Sequence, residues 1–299
     1  MIVNFNDIYE DIHKASKQEL DTLKSKNTKD TLMLMLILGI VVLTAFLINP
    51  IVGGIGILVS FIVFLTFYHR NNITYRTLYK IRVIDKLITG YSKSFSYTPV
   101  SDMSVYEYKE AEFHEFFDRY ITEDEIEGTL SDNSKVKMAQ VATFKEEIER
   151  KEDGTIERRE VETFRGLYGF VRLNYPISNI IKVTTNSFLR KYDAKRIEVE
   201  STEFEKLFDI QANNKINAMQ IFTPELLEKF VSLNFNKRNA FEVKVHNMTI
   251  YFRYRCGEIF EPPALSSGVD YDLLYKYFSI INYPIEIVEN IIENAKLIR

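Results

Sequence analysis

The sequence contains one stretch of 38 residues, Thr31–Tyr68, without a single charged side chain. A membrane-spanning helix needs about 20 apolar residues, so this stretch is long enough for two such helices and too long for one. Asn49 and Pro50 stand at its middle, and proline removes a backbone donor and disfavours helical geometry in the preceding residue. Three glycines follow, which permit a tight return and close helix packing. We therefore predict a transmembrane helical hairpin, Thr31–Ile48 and Ile51–Tyr68.

Two other interpretations of this stretch are a buried helical hairpin of a soluble domain and a cleaved signal peptide. Soluble helices of this length usually carry a polar stripe, which is missing here. A signal peptide has a short apolar segment close to the N-terminus, whereas thirty residues with a helical pattern and many charged side chains precede this one. The membrane hairpin is the better explanation of the pattern.

Positively charged residues flank the hairpin on both sides, and the turn carries none. The flanking residues are Lys14, Lys17, Lys24, Lys26 and Lys29 before it, and His69, Arg70, Arg76, Lys80, Arg82 and Lys86 after it. Cytoplasmic segments carry the excess of lysine and arginine. Both termini are therefore predicted to lie in the cytoplasm.

The chain divides into four predicted parts. Residues 1–30 form an N-terminal amphipathic cytosolic helix, 31–68 the transmembrane hairpin, 69–95 a basic juxtamembrane helix, and 96–299 a cytosolic domain. The two helices that flank the hairpin carry apolar stripes and are expected to pack together beneath the membrane. We attribute the basic charge of residues 69–95 to anchoring beside anionic headgroups.

The cytosolic domain is predicted to be α+β, with a mixed, mainly antiparallel sheet and packed helices, because strand and helix patterns alternate without a regular βαβ rhythm. The expected hairpins turn at Asp153-Gly154 and at His246-Asn247, the second within Phe241–Tyr254, and strands are expected around Asn213-Asn214. The expected helices run from Ser101 or Ser104 to Tyr120, over "STEFEKLF", over "FTPELLEKFVSL", and over Asp270–Ile281 and Pro284–Leu297.

Six segments of the chain occur in an order that resembles a known family. They are "DRYITEDEIEG", "FRGLYGFVRLN", "ESTEFEKLFDI", "NAMQIFTPELLEKF", "MTIYFRYR" and "GEIFEP". Together they resemble the bacterial membrane proteins of the domain-of-unknown-function family three-one-three-seven, over roughly Tyr97 to Pro263. The resemblance implies a multi-pass protein of the cell (inner) membrane and implies no reaction, substrate or catalytic residue. The residues that match the pattern are Phe164, Arg165, Gly166, Glu203, Phe204, Phe208, Thr223, Pro224, Phe260, Glu261 and Pro262, and all have structural explanations in packing, turns and caps.

Residue patterns that carry known chemistry are missing from the sequence. We find no phosphate-binding loop, dinucleotide fingerprint or nucleophile elbow. His114 and Asp118 are spaced as metal ligands on a helix, but no further ligands complete the set. Cys256, the one cysteine, and His246 are predicted to lie at opposite ends of a strand. We therefore predict no catalytic residue, no metal site and no cofactor.

These patterns favour a membrane-anchored cytosolic scaffold or accessory subunit over an enzyme. We expect it to bind a protein partner or a second copy of itself, through the "FRGLY" strand or the Phe241–Tyr254 hairpin. A net charge of −4 gives no basic field for nucleic acid. The alternative is an inner-leaflet domain that binds a lipid or small molecule, or an enzyme, which requires a pocket of convergent polar groups.

Overall fold

The computed structural model describes residues 4–113, 116–150, 156–185, 195–233, 241–263 and 270–298. The fold is α+β, as predicted. The chain forms two compact units. The first consists of Met1–Gly90 and Phe260–Tyr275, and the second of Tyr91–Ile259 and Lys276–Arg299.

The first unit is built on two long helices that meet at Asn49. Helix α1 spans Phe5–Ile48 and α2 spans Pro50–Tyr79. The side chain of Asn49 accepts a hydrogen bond from the backbone of Ile51 at 2.8 Å, which caps α2. The predicted break is therefore confirmed. The amphipathic and apolar segments before it form one helix, because neither proline nor glycine interrupts the chain between Phe5 and Gly39.

Both long helices pass the length and composition test for a membrane span, over Phe5–Ile48 and Pro50–Tyr91, and their apolar stretches are exposed. They pack closely near the turn. A Cβ atom on Gly53 would lie 2.4 Å from Cγ of Phe46, so a side chain there would force the Phe46 ring to move. The predicted role of this glycine in close helix packing is confirmed.

The helix that follows the apolar stretch continues α2 through a π-helical segment, Lys80–Ile84, into α3, Asp85–Tyr91. A π segment leaves backbone carbonyls without their usual partners. The hydroxyl of Ser16 on α1 donates to the carbonyl of Arg82 at 3.1 Å. The Arg82 side chain lies 3.3 Å from the Glu19 carboxylate. The two amphipathic segments therefore contact each other, as predicted.

The second unit contains an antiparallel sheet of seven strands, in the order β1-β2-β3-β4-β6-β5, with β7 also paired to β4. The strands are β1 Ser96–Thr98, β2 Arg119–Thr129, β3 Lys135–Arg150, β4 Ile156–Thr185, β5 Arg196–Ile197, β6 Phe208–Ala212 and β7 Phe241–Tyr254. The helices are α4 Val105–Glu110, α5 Thr202–Leu207, α6 Lys215–Ile221 and α7 Pro224–Leu233, and α8 Tyr271–Leu297 runs from the first unit into the second.

Strand β7 reverses direction at Asn247, which has a φ of 55°. Glu242 and Arg253 are in direct contact although eleven residues separate them, and a straight strand would hold them about 36 Å apart. The ring of Phe241 likewise lies 6.0 Å from that of Tyr254. The chain therefore reverses near the predicted turn, but the predicted hairpin is not formed, since among the described residues both arms of β7 pair with β4 and not with each other. Strand β4 passes around the tip of β7, where Ile177 of β4 pairs with Asn247.

Three predicted elements differ from the structure. Helix α4 starts at the predicted Ser104 cap but ends at Glu110 rather than Tyr120, because the chain enters β2 and Arg119 pairs with Phe144. Of the strands expected around Asn213-Asn214, the preceding one is present as β6, whereas a helix, α6, capped by Asn214, stands in place of the following one. The two predicted C-terminal helices are one, α8, with Pro284 in its interior.

The α8 prediction was wrong because proline removes one helical hydrogen bond without excluding a helix that tertiary contacts hold. Here the Tyr175 hydroxyl donates to the carbonyl of Ile292 at 3.1 Å. The Asn294 side chain donates to the carbonyl of Ile221 at 2.7 Å. The predicted Asp153-Gly154 turn lies outside the described residues, but Arg150 pairs with Ile156 on either side of it.

Candidate functional site

Two rows of side chains cross one face of the sheet in the second unit. In the first row, Glu127 of β2 pairs with Lys137 of β3, which pairs with Phe170 of β4. In the second row, Thr129 pairs with Lys135, and Lys135 pairs with Arg172. Residues two apart on a strand share a face, so both rows lie on the same side of the sheet.

These rows form the floor of a cleft of about 550 Å³, which we call the polar cleft. It is lined by Ser94, Ser96, Glu107, Glu127, Gly128, Thr129, Lys135, Val136, Lys137, Phe170 and Arg172. Its volume is in the usual range for a site that binds a small molecule, about 300–1,000 Å³.

Lys137 is neutralised by acidic residues in and beside the cleft. Its ammonium donates to Asp102 and lies 3.6 Å from the carboxylates of both Glu125 and Glu127. Burial acts to lower the pKa of Lys137, but the hydrogen bond to Asp102 and the charge of Glu125 raise it above its ordinary value. The same hydrogen bond lowers the pKa of Asp102. Lys137 is therefore a charged, fully paired residue.

Glu107 is also engaged by its surroundings. Its carboxylate accepts hydrogen bonds from the backbone and the hydroxyl of Ser104, at 2.8 and 3.0 Å. These contacts complete the capping box of α4, and a carboxylate in the first turn of a helix is stabilised by the helix dipole. The acidic residues of the polar cleft thus have partners of their own.

Lys135 and Arg172 lie directly opposite each other on β3 and β4. The Lys135 ammonium donates to the Thr129 hydroxyl at 2.9 Å, and the Arg172 guanidinium lies 5.3 Å from the centre of the Phe170 ring. Among the described residues, neither cation has a carboxylate within 4.0 Å. Like charges directly opposite each other on a sheet are destabilising. Lys135 and Arg172 are therefore two exposed cations placed side by side by strand register, in a cleft that the carboxylates of Glu107 and Glu127 also line.

A second charged cluster lies between β4 and β7. Arg253 donates to the carboxylate of Glu242, and its guanidinium lies 4.8 Å from the centre of the Phe113 ring and 5.5 Å from that of Phe164. Glu242 also accepts from the backbone of Thr185 at 3.3 Å. The adjoining cavity measures about 80 Å³, which is too small for an ordinary ligand. We interpret the cluster as a buried structural ion pair.

A two-stranded ribbon extends from the sheet beyond the last partner of β2. It consists of residues 145–150 of β3 and 156–161 of β4, which pair only with each other among the described residues. Ile148 is 64% exposed and Ile156 is 60% exposed. Ile148 pairs with Arg158, two residues from Ile156, so both isoleucines occupy the same face of the ribbon.

The structure places the first three family-pattern residues at the base of this ribbon. Phe164 is buried, and Arg165 donates to Glu162 and Glu258, spanning β4 and the segment after β7. A Cβ on Gly166 would lie 2.0 Å from the carbonyl oxygen of Tyr254, so a side chain cannot fit there. This stretch lies between β3 and β7, so the "FRGLY" strand does not offer the free edge that we expected.

The remaining pattern residues lie in other parts of the fold. Phe204 and Phe208 are buried and contact Phe230 of α7, and Glu203 is exposed in the first turn of α5. The others occupy a helix start and a connecting segment. At the helix start, the Thr223 hydroxyl accepts from the backbone of Leu226 at 3.4 Å and Pro224 begins α7. In the connecting segment, Phe260 is buried, Glu261 pairs with Arg76 at 2.5 Å, and Pro262 is partly exposed.

The other chemical candidates from the sequence do not assemble into a site. His114 lies outside the described residues, and the carboxylate of Asp118 accepts from the backbone of Glu146 at 2.8 Å. Burial raises the pKa of the Cys256 thiol to about 12, which keeps it protonated. No group of three or more histidine, cysteine or acidic residues that could hold a metal ion occurs in the part of the chain that the structure describes.

Sequence reasoning missed Lys135 and Arg172. Each stands in an alternating strand pattern, where a solvated surface position is the simplest interpretation. Their proximity depends on the register of β3 against β4, which pairs residues 37 positions apart. The signal that could have found this pair is the alternation of apolar residues in β3 and β4. Aligning the two patterns would predict the register, and with it the position of Lys135 opposite Arg172.

Residues 162–292 match the model of the family described as "Protein of unknown function (DUF3137)". The resemblance is therefore confirmed over this part of the chain, which begins later than expected and extends into α8. The comparison with curated proteins gives no match. The crystal structure of the mycobacterial trehalose monomycolate transport factor A, TtfA, aligns with 70% of this chain and 96% of its own, at 7% identity and a TM-score of 0.32. That TM-score is too low to support an argument.

Proposed function

We propose that this chain, whose residues 162–292 match a family of unknown function, is an accessory module anchored in the inner membrane of a bacterial cell. The helices α1 and α2 cross the bilayer, and both termini lie in the cytoplasm. The exposed apolar surface of the two helices supports this anchor, since large contiguous apolar patches on a protein surface mark membrane or protein contacts. The second unit has a core of its own and binds a protein partner.

The observation that carries partner binding is the ribbon of β3 and β4. An isolated two-stranded ribbon buries little apolar surface, so its own packing adds little to stability. Nevertheless its base is braced: the Arg119 guanidinium lies 4.3 Å from the centre of the Phe144 ring and pairs with Glu160 at 2.7 Å. A projection whose strands pair only with each other among the described residues, and which exposes two isoleucines, fits a docking element better than a stabilising one.

The chemistry of the ribbon indicates the kind of partner. Its edges offer backbone donors and acceptors for an added strand, the mode known as β-augmentation. Residues 145–150 and 156–161 carry five acidic and four basic residues around the isoleucine pair. We expect a partner with an extended segment, whose apolar side chains alternate with charged residues of both signs.

The test compares three full-length chains, purified in mild detergent from their native cells. One is unchanged, one carries Ile148→Ser with Ile156→Ser, and the control carries Ile216→Ser. Ile216 lies on α6, is 71% exposed and is remote from the ribbon in sequence. Co-purifying proteins are quantified by mass spectrometry. We expect a stoichiometric partner with the unchanged chain and the control, and its loss from the ribbon variant.

Two results contradict the proposal. A partner retained by the ribbon variant means that the ribbon is not the docking element. The absence of any protein that co-purifies at comparable amounts with the unchanged chain means that the module does not act as an accessory subunit. Each variant is checked for the same circular dichroism spectrum as the unchanged chain, so that loss of binding is not confused with loss of folding.

A further inference from the structure

Glu112, just beyond the end of helix α4, contacts two lysines of the sheet in the second unit. Its carboxylate accepts a hydrogen bond from the Lys244 ammonium at 2.6 Å, and its backbone carbonyl accepts one from the Lys182 ammonium at 3.2 Å. Lys182 of β4 pairs directly with Lys244 of β7. Like charges in this position are destabilising. The oxygen atoms of Glu112 therefore stabilise a pair of lysines that strand register brings together.

The two partners in the ion pair differ in their exposure to solvent. The side chain of Lys244 is 7% exposed, whereas that of Glu112 is 69% exposed. A buried ammonium requires a partner of opposite charge. The neighbouring carboxylate, Glu242, is bonded to Arg253 instead, and within the described ranges Glu112 supplies the one carboxylate that lies within 4.0 Å of Lys244. The buried charge thus depends on a carboxylate that solvent, and a solute, can reach.

The backbone of Glu112 is held in an unfavourable conformation. Its φ is 51°, in the left-handed region that few residues other than glycine adopt. Residues in such conformations persist where surrounding contacts hold them, and they cluster at ligand clamps and switch regions. Ala111 and Phe113, on either side, are buried. A change of conformation that releases Glu112 is therefore local, and it relieves strain as it breaks the two contacts with the lysines.

From this geometry we propose that Lys244 and Lys182 form a binding site for the carboxylate of a ligand, and that Glu112 occupies this site in the free protein. The ligand carboxylate replaces that of Glu112 on the buried ammonium, and Glu112 turns into the solvent. The proposal is independent of partner binding by the ribbon. It assigns one chemical group, which either a small carboxylic acid or an acidic side chain of a protein segment supplies.

The internal contact indicates a carboxylate rather than a larger anion. The site already accommodates a carboxylate on the Lys244 ammonium, at a distance typical of a strong, charge-assisted hydrogen bond. A ligand carboxylate has a second oxygen, which the Lys182 ammonium can take in place of the Glu112 carbonyl. A phosphoryl group brings three oxygens and up to twice the charge to a site built around one buried ammonium.

The experiment measures binding to the full-length chain in detergent by isothermal titration calorimetry, at neutral pH and constant ionic strength. The probes are succinate and an acetylated tetraglutamate peptide. The unchanged chain is compared with Glu112→Gln, which removes the internal competitor, and with the matched control Glu203→Gln. Glu203 is an exposed residue in the first turn of α5 and takes the same change in charge outside the site.

We expect Glu112→Gln to bind at least one probe about tenfold more tightly, or better, than the unchanged chain and the control do. The reason is that an internal carboxylate competes at an effective concentration of about millimolar or more. A larger gain with succinate assigns the site to small acids, and a larger gain with the peptide assigns it to a protein segment. Adding Lys244→Met or Lys182→Gln to Glu112→Gln should abolish the gain.

The proposal is overturned if Glu112→Gln and Glu203→Gln bind both probes with the same affinity, or if neither probe saturates with Glu112→Gln. It is also overturned if both double variants keep the gain, or if inorganic phosphate binds to Glu112→Gln more tightly than either carboxylate probe. Lys182 is partly exposed, so its substitution tests the site even if Lys244→Met perturbs folding. A partner lost or retained in the ribbon experiment has no bearing on these outcomes.

Discussion

Arg253 donates a hydrogen bond to Glu242 across the reversal of β7, and both side chains are buried. A buried ion pair contributes little net stability compared with apolar residues, but removing one partner strands a charge in the interior. The contact joins the two arms of β7, and we expect its loss to cost more stability than its presence adds.

The first prediction concerns that pair. Glu242→Ala leaves the Arg253 guanidinium buried without its carboxylate, and we expect a loss of about 3–5 kcal/mol in the free energy of unfolding. The measurement is urea denaturation followed by circular dichroism, with the exposed Glu203→Ala as a control that changes it by less than about 0.5 kcal/mol. Equal effects of the two substitutions would contradict the account of β7.

The second prediction concerns the close approach of β4 to the end of β7. A Cβ at Gly166 would lie 2.0 Å from the carbonyl oxygen of Tyr254, so Gly166→Ala must shift the backbone. We expect a loss of about 3 kcal/mol or more, at the upper end of overpacking effects. The control is Gly257→Ala, where nothing lies within 4 Å and only the positive φ is strained, at a cost of about 1 kcal/mol. Thermal unfolding of both variants should therefore rank them in that order.

The third prediction tests the proposed topology by labelling introduced cysteines. Cys256 is a suitable background because its raised pKa makes it unreactive at neutral pH. We introduce Ile51→Cys beside the helix turn, and Ser25→Cys or Lys93→Cys on the flanks, at positions that are all exposed. A membrane-impermeant maleimide added to spheroplasts should label only the turn variant. Labelling of either flank variant in intact spheroplasts would exclude cytoplasmic termini.

The fourth prediction concerns alkaline pH. Burial raises the pKa of the Cys256 thiol from 9.0 to about 12 and that of the Tyr120 hydroxyl from 10.0 to about 12. A group whose pKa is raised by folding stabilises the fold below its unfolded pKa and loses that contribution as the pH rises through the folded pKa. Stability should therefore fall between about pH 9 and pH 12.

Substituting Cys256 by Ala tests how much of this fall belongs to the thiol. The variant should lose less stability than the unchanged chain between pH 9 and pH 11, as measured by the urea midpoint at each pH. Parallel curves for the two chains would mean that the thiol is not buried in the folded protein.

Local signals in the sequence predicted part of this fold correctly. The break at Asn49 and the start of α7 at Thr223-Pro224 follow from backbone constraints that act within a few residues. The length of α4 and the continuity of α8 depend instead on competition with distant partners. The chain leaves helix α4 because Arg119 pairs with Phe144 in the sheet. Helix α8 continues through Pro284 because residues beyond that proline contact the sheet.

The candidate site was harder to predict than the fold for the same reason. Lys135 and Arg172 become neighbours only through strand register, and no sequence motif encodes that contact. The ribbon was anticipated as a hairpin but not as a projection, since its exposure depends on where β2 and β7 stop pairing.

Helix α1 runs for 44 residues without interruption, which corresponds to about 66 Å. If its apolar part spans the bilayer as we propose, its N-terminal part is a lever arm attached to the membrane. Tilting such a rod by about 10° displaces its end by roughly 11 Å, and helix tilt responds to bilayer thickness. A change in the thickness of the surrounding lipid would then move the N-terminal part of α1 together with the π-helical segment that it contacts.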